Sequence, residues 1–243
     1  MFDKFKKYLA SPFQNAAHIN RGVMRDYLRP LKGKFLELGP GNTPLLKNLN
    51  HVKAKNKYVI EFKEVSSYCH KLGYTCLDQD MGKEKWNLKD NSIDVVVGSQ
   101  CLEHIPDTDH VISEAHRVLK PGGLLLLTVP NQAALAYILM MLFTINPPMN
   151  MVSDKYYGLG NVLSTRRWEK SAEYETKGHG HLRLFATRAM NDLLRIYGFK
   201  VISNHGGTWG IPFAGKFLAK IFPYYGLFTI VLAKKVTVKQ WKI

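Results

Sequence analysis

Short apolar runs alternate with longer stretches of helical periodicity along most of this chain. The runs predict strands at Lys34–Leu38, Lys57–Ile60, Thr75–Leu77, Asp94–Gly98, Leu124–Val129, Phe199–Asn204 and Phe228–Lys234. Apolar residues three and four apart predict helices over His18–Leu28, Lys63–Leu72, Asp107–Leu119 and Thr187–Tyr197. Pro30 closes the first of these and Gly198 the last. At the start, Phe2, Phe5, Leu9 and Phe13 recur at helical spacing with Lys4, Lys6 and Lys7 between them. Strand and helix alternating at this pace predict an α/β fold with a parallel sheet and right-handed crossovers.

The pattern loosens between Pro130 and Gly180. An apolar helix is followed by Pro147-Pro148 and then by a polar stretch with Tyr156, Tyr157 and Trp168. The expected organisation is one domain over residues 1–243. Residues 1–31 form a helical cap and 131–180 an insertion or lid over the cleft. A later stretch, Trp209–Tyr225, mixes aromatics with Lys216 and Lys220.

Composition narrows the setting. The apolar fraction of 46% suffices for a core. Cys69, Cys76 and Cys101 lack C-x-x-C spacing and read as reduced thiols, which places the protein in the cytoplasm. Met1–Phe13 has no continuous apolar region of the kind a signal peptide needs, and the longest apolar run, Ala133–Ile145, is too short to span a bilayer. The net charge of +15 fits nucleic acid, an anionic membrane surface or an anionic substrate. Simple solubility is the plainer account of it.

Candidate chemistry centres on Lys34–Asn42. An apolar strand carries Glu37 near its end and breaks into a turn with Gly39 and Gly41. Thr43 is a good N-cap and Pro44 suits the first position of a helix. Strand, glycine turn and helix start present a nucleotide-type ligand to backbone N–H groups. A dinucleotide fingerprint needs a third glycine where Pro44 stands, and no phosphate-cradling G-x-x-x-x-G-K-[ST] occurs. Glu37 would repel a pyrophosphate and attract the ammonium of an amino-acid-bearing nucleoside.

Glu37-Leu38-Gly39-Pro40-Gly41 resembles the E/D-x-G-x-G motif of class I S-adenosylmethionine-dependent methyltransferases, specifically a small-molecule, type 11/23-like branch. Leu102-Glu103-His104 and the run Arg117 to Gly123 match further motifs of that family, in order. Thr43 departs from the glycine many members carry. The resemblance implies a Rossmann-like seven-stranded sheet, mostly parallel, with an antiparallel last strand and helices on both faces. It implies S-adenosyl-L-methionine as cofactor and S-adenosyl-L-homocysteine as product.

By that resemblance Glu37, Gly39, Gly41 and Asn42 cradle the cofactor, Glu61 takes the ribose hydroxyls and Phe62 packs on the adenine. Asp80 and Met81 meet the adenine amino group and ring, with Asp78 as competitor for the acidic role. The backbone at Ser99 and Gln100 touches the methionine part. His104 is the first candidate base. His181, in Gly180-His181-Leu182-Arg183-Leu184-Phe185, is the second, and Arg183 is a candidate holder of a phosphate or carboxylate on the acceptor. A packing or capping role competes for both histidines. Glu103-His104 also resembles a pair implicated in metal binding in ubiquinone-pathway O-methyltransferases. The sequence shows no fuller ligand set, so no metal is assigned.

The resulting expectation is O-methylation of a small, anionic or lipid-linked acceptor, with peripheral membrane contact as a second partner class. Two rivals stand beside it: an RNA methyltransferase, and a catalytically silent cofactor-binding partner protein. No N-P-P-Y or D-P-P-Y tetrapeptide supports the former, and the intact acids and glycines argue against the latter. The sequence carries no sign of an oligomeric state.

Overall fold

A computed structural model describes residues 16–153, 155–164, 170, 180–209 and 214–236. Seven strands form a single sheet: β1 (Phe35–Leu38), β2 (Lys57–Glu61), β3 (Thr75–Asp78), β4 (Ile93–Ser99), β5 (Leu119–Pro130), β6 (Phe199–His205) and β7 (Phe228–Lys235). Their order is β3-β2-β1-β4-β5-β7-β6. β1 pairs in parallel with β2 and β4, and β7 is antiparallel to both β5 and β6. This is the expected sheet, with its last strand reversed.

Helices cover both faces. They are α1 (residues 16–28), α2 (Lys63–Lys71), α3 (Thr108–Val118), α4 (Leu135–Leu142), α5 (Thr187–Ile196) and α6 (Gly215–Ile221). Successive strand residues point to opposite faces, so one strand feeds two cores. Leu36 and Leu38, Val96, Leu125 and Leu127 pack with α3 and α5. Phe35, Val95, Val97 and Leu126 pack with Met24 and Leu28 of α1 and with Cys69 of α2.

β5 begins earlier than its apolar run suggested and passes through Pro121-Gly122-Gly123. A Cβ on Gly123 would sit 2.9 Å from the Lys120 carbonyl and 3.1 Å from that of Asp94, so only glycine fits there. Arg117, from the same motif, is a staple. Its guanidinium binds Glu114 and Asp90 and the carbonyls of Trp86 and Leu88. It thereby ties the loop after β3 to α3.

The expected helix after the glycine turn does not form. A single 3₁₀ turn, Leu45–Asn48, follows instead, and no side chain caps it at Pro44. Glu37 reaches across from β1 and takes the amides that Thr43 was expected to cap: Leu45 N donates at 2.6 Å and Leu46 N at 3.0 Å. The short turn has little dipole to offer a ligand. The Phe2–Phe13 helix and His179 lie outside the described residues, as does Trp168.

Candidate functional site

The C-terminal ends of β1, β2, β3 and β4 converge beside the glycine turn, the place where open α/β sheets bind ligands. Gly39 has φ +55° and Gly41 φ +53°, backbone that L side chains rarely adopt. At Gly39 space is short as well. An added Cβ would approach Cys101 Cβ to 3.0 Å and Met81 Cε to 3.3 Å. The turn is thus packed between the segment after β4 and the loop after β3, both on the predicted cofactor side.

Glu37 itself is buried beneath this turn rather than displayed on it. Burial pushes its carboxyl up to about 7, against the opposing pull of the Leu46 and Leu45 amides, Arg21 and Lys57. Both of its oxygens accept from the amides of the segment after the turn, Leu45 N and Leu46 N. Its oxygens shape the turn that would touch the ligand.

Glu61 ends β2 and is nearly buried. One oxygen accepts from Gly41 N at 3.1 Å and the other from Phe62 N at 2.9 Å. Phe62 stands 48% exposed, with its ring available to a planar ligand. Asn42 is exposed on the turn.

After β3 the two competing acids separate. Asp78 is engaged on the α2 side, accepting from Ser66 Oγ at 2.6 Å with His70 Nε2 at 3.3 Å. The Ser66 hydroxyl, opposed by slight burial and helped by His70, holds its carboxyl below the usual range. Asp80 lies beyond the strand, accepts from Gly82 N at 2.9 Å and adjoins Met81, whose methyl reaches Gly39. The other Asp80 oxygen lies 3.5 Å from Lys83 Nζ. Sequence reasoning missed what holds Met81 in place. Trp86, fully buried, donates its indole N–H to the Met81 carbonyl at 3.0 Å.

β4 runs out at Ser99 into Gln100, which adopts φ +56°, an uncommon value for a residue with a side chain. Gln100 N donates to the Thr128 carbonyl at 3.0 Å, and its side-chain amide reaches Thr128 Oγ1 at 3.3 Å. Asn20 of α1 meets that same hydroxyl at 2.9 Å. α1 is therefore joined to the segment expected to face the methionine part, a link with no sequence signal beyond a polar residue on an apolar helix face.

The chain then makes a 3₁₀ turn at Leu102–His104. The segment from Gly180 lies against it, with Leu182 N donating to the Glu103 carbonyl at 2.8 Å. The ring of His181 meets that of His104 edge-on, with centroids 4.9 Å apart. His181 Nδ1 lies 3.0 Å from the Met149 carbonyl. A carbonyl can only accept, so this bond puts the proton on Nδ1 and leaves the lone pair on Nε2.

Ligand atoms of Glu103, His104 and His181 all lie within 4.8 Å of one another, and Glu103 is buried. Folding thus supplies the third potential metal ligand that the sequence did not show. A carboxylate with two imidazoles suits a divalent ion of borderline softness. Arg183 points differently. Its guanidinium donates to the Pro106 carbonyl and stays exposed.

A hollow beside this cluster is lined by Gln132, Tyr137, Met141, Met149 and Leu184, among others. Its walls come from the end of β5, from α4 and from the segment carrying His181. An isolated parallel bridge joins Asn131, just after β5, to Phe185, next to Leu184 in the chain.

The chain matches the family described as "Methyltransferase domain" over residues 13–204. It is 29% identical over 146 residues to the mitochondrial ubiquinone biosynthesis O-methyltransferase of Rattus norvegicus, covering 56% of this chain and 42% of that protein. It is 43% identical over 44 residues to phosphoethanolamine N-methyltransferase 2 of Caenorhabditis elegans, covering 18% of this chain and 10% of that one. The chain thus spans less than half the length of either curated relative. Among solved structures it resembles an S-adenosylmethionine-dependent methyltransferase from Mesorhizobium loti, with TM-score 0.57, 16% identity, and 88% of this chain and 96% of the other covered.

Proposed function

The chain belongs to the S-adenosylmethionine-dependent methyltransferases, and from that premise we propose that it moves a methyl group from S-adenosyl-L-methionine to a hydroxyl oxygen of a small acceptor. The observation that carries this reading is the Met149–His181 hydrogen bond, which puts the ring proton on Nδ1 and the basic lone pair on Nε2, with the His104 ring edge-on beside it.

In this reading Gly39, Gly41, Glu61, Phe62, Asp80 and Met81 hold the nucleoside, with Asn42 at the rim. The backbone at Ser99 and Gln100 meets the amino-acid part. The acceptor enters from the hollow under α4 and lines up behind the sulfonium methyl. Attack by the acceptor oxygen forms the O–C bond as the C–S bond breaks, leaving the homocysteine thioether. His181 Nε2 takes the hydroxyl proton, and His104 fixes the imidazole from its edge. Alignment and exclusion of water supply most of the remaining acceleration. Arg183, exposed beside Pro106, suits an acceptor with a phosphate or carboxylate, while Tyr137 and Met141 in the hollow suit an apolar part. An acceptor with both characters is amphiphilic, so peripheral contact with an anionic membrane belongs to the same reading.

A second reading is favoured by the clustering of Glu103, His104 and His181. These three residues would hold a divalent ion, which would lower the pKa of an acceptor hydroxyl bound to it. The relatives are divided on the acceptor atom, one named for O- and one for N-methylation.

The test begins with calorimetric binding of S-adenosylmethionine and S-adenosylhomocysteine. A transfer assay with methyl-labelled cofactor against matched panels of phenols, carboxylates and amines follows. Label in methyl ethers supports the reading, and label only in methylamines overturns it. Turnover abolished by EDTA and restored by zinc or manganese selects the metal reading. Turnover unchanged by chelation selects the histidine base.

A further inference from the structure

α6 is amphipathic the wrong way round for a helix facing water. Its buried side is the small Ala219, whose carbonyl accepts from Gly206 N at 3.2 Å. Its outer side presents Phe217, 66% exposed, and Ile221, 50% exposed, one turn apart. The apolar stripe continues into Phe222 and Tyr225, both about half exposed. Trp209 braces them. Its indole N–H donates to the Phe222 carbonyl at 3.2 Å, and its ring lies 6.1 Å from that of Phe222 and 6.3 Å from that of Tyr225.

α4 offers a second apolar edge. α4 ends in Leu142, 72% exposed, and Phe143, 74% exposed. The two edges share one support. Tyr137 of α4 packs in a cluster with Leu227 and Phe228, and Asn131 donates to the carbonyls of Tyr224 and Gly226.

Charge around these edges is one-sided. Residues 131–153 carry no charged side chain. Residues 214–228 carry Lys216 and Lys220 and no acidic residue, and the Arg188 guanidinium lies 5.3 Å from the centroid of the Tyr224 ring. We propose that the face formed by α6, its following turn and the end of α4 docks on an anionic phospholipid bilayer. Aromatic and aliphatic side chains enter the headgroup boundary there, and lysines such as Lys220 pair with lipid phosphates.

The alternatives fit less well. RNA would match the charge but gives the aliphatic Ile221 and Leu142 nothing to stack on. A second copy of the chain would set two cationic faces against each other. Among the described residues no helix is long and apolar enough to cross a membrane, so the contact is peripheral. α4 lines the acceptor hollow with Tyr137 and Met141 and carries Leu142 and Phe143 at its outer end. A lipid-borne acceptor would pass from bilayer to site along this helix. That last step rests on the methyl-transfer reading, whereas the docking does not.

The experiment is flotation of the full chain with vesicles of phosphatidylcholine alone or mixed with phosphatidylglycerol, at low and high salt. Two double variants, Phe217→Ser with Ile221→Ser and Leu142→Ser with Phe143→Ser, go alongside. Binding of S-adenosylhomocysteine, measured separately, reports that each variant is folded. The expected result is flotation with mixed vesicles only, fading with salt, and reduced at least tenfold in either variant with homocysteine-product affinity unchanged. Failure to float at low salt would overturn the proposal. So would equal binding to neutral vesicles, undiminished binding by both folded variants, or retention on RNA without flotation. Flotation is read without turnover, so loss of the methyl-transfer reading would leave this result standing.

Discussion

Met149 and His181 are distant in sequence, yet the carbonyl of one lies 3.0 Å from the imidazole Nδ1 of the other. That contact decides which nitrogen of His181 is basic. His181→Ala is expected to lower kcat by about 10²–10⁴-fold, the usual worth of a positioned base. Affinity for S-adenosylhomocysteine should stay unchanged, because in this reading His181 serves the acceptor and not the cofactor. Single-turnover rates and calorimetry on one preparation check this. An unchanged kcat would remove His181 from the reaction.

Glu61 should govern cofactor affinity in two ways, through the ribose hydroxyls and through the Gly41 amide it accepts from. Glu61→Ala is expected to weaken binding by roughly tenfold to a hundredfold, in keeping with about 1.5–3 kcal/mol for a hydrogen bond to a charged group. Glu61→Gln, which keeps an acceptor for Gly41, should weaken it less. Equal affinity in wild type and the alanine variant would displace the site.

Glu37 makes stability depend on pH. Its carboxyl is raised from 4.5 to about 7 in the folded chain, chiefly by burial. The folded state then holds this proton more tightly than the unfolded state. The contribution is complete below pH 4.5 and is lost as pH rises through about 7. At about 1.4 kcal/mol per pH unit the whole effect is about 3 kcal/mol. Urea unfolding of the wild type minus that of Glu37→Gln, taken from pH 4.5 to 8, should show this slope. A flat difference would contradict it.

Arg117 lies in a motif that looks functional and acts structurally. Arg117→Ala would leave Glu114 buried without its partner and free the Trp86 and Leu88 carbonyls. A loss of about 3 kcal/mol is expected, the usual cost of removing one member of a buried pair. Any folded fraction should retain its cofactor affinity. Thermal unfolding with and without S-adenosylhomocysteine separates the two effects.

Much of this was legible beforehand because strands are local. Apolar runs bounded by turn residues placed all seven strands within a few residues, and Gly198 marked the end of α5 as expected. β5 was the exception. Its first residues are Leu119 to Gly123, and glycines and a proline carry no strand signal. Leu119 pairs with Ile93 of β4, the ladder resumes at Leu124 after an irregularity, and between them Gly123 has no room for a side chain against the Lys120 and Asp94 carbonyls. Thr43-Pro44 misled for the converse reason. The local signal for a helix cap was good, but a carboxylate from the neighbouring strand took the amides first.

By itself the sequence determined the order of elements, the glycine turn and the acids at the ends of β2 and β3, because each depends on residues close together in the chain. Only the tertiary structure decided that Glu37 lies under the turn, that Asp78 is held against α2 while Asp80 turns to Gly82, and that His181 joins Glu103 and His104. Those outcomes depend on side chains brought together across the sheet and on which of them reaches a donor or acceptor first. Spacing along a chain does not encode that competition.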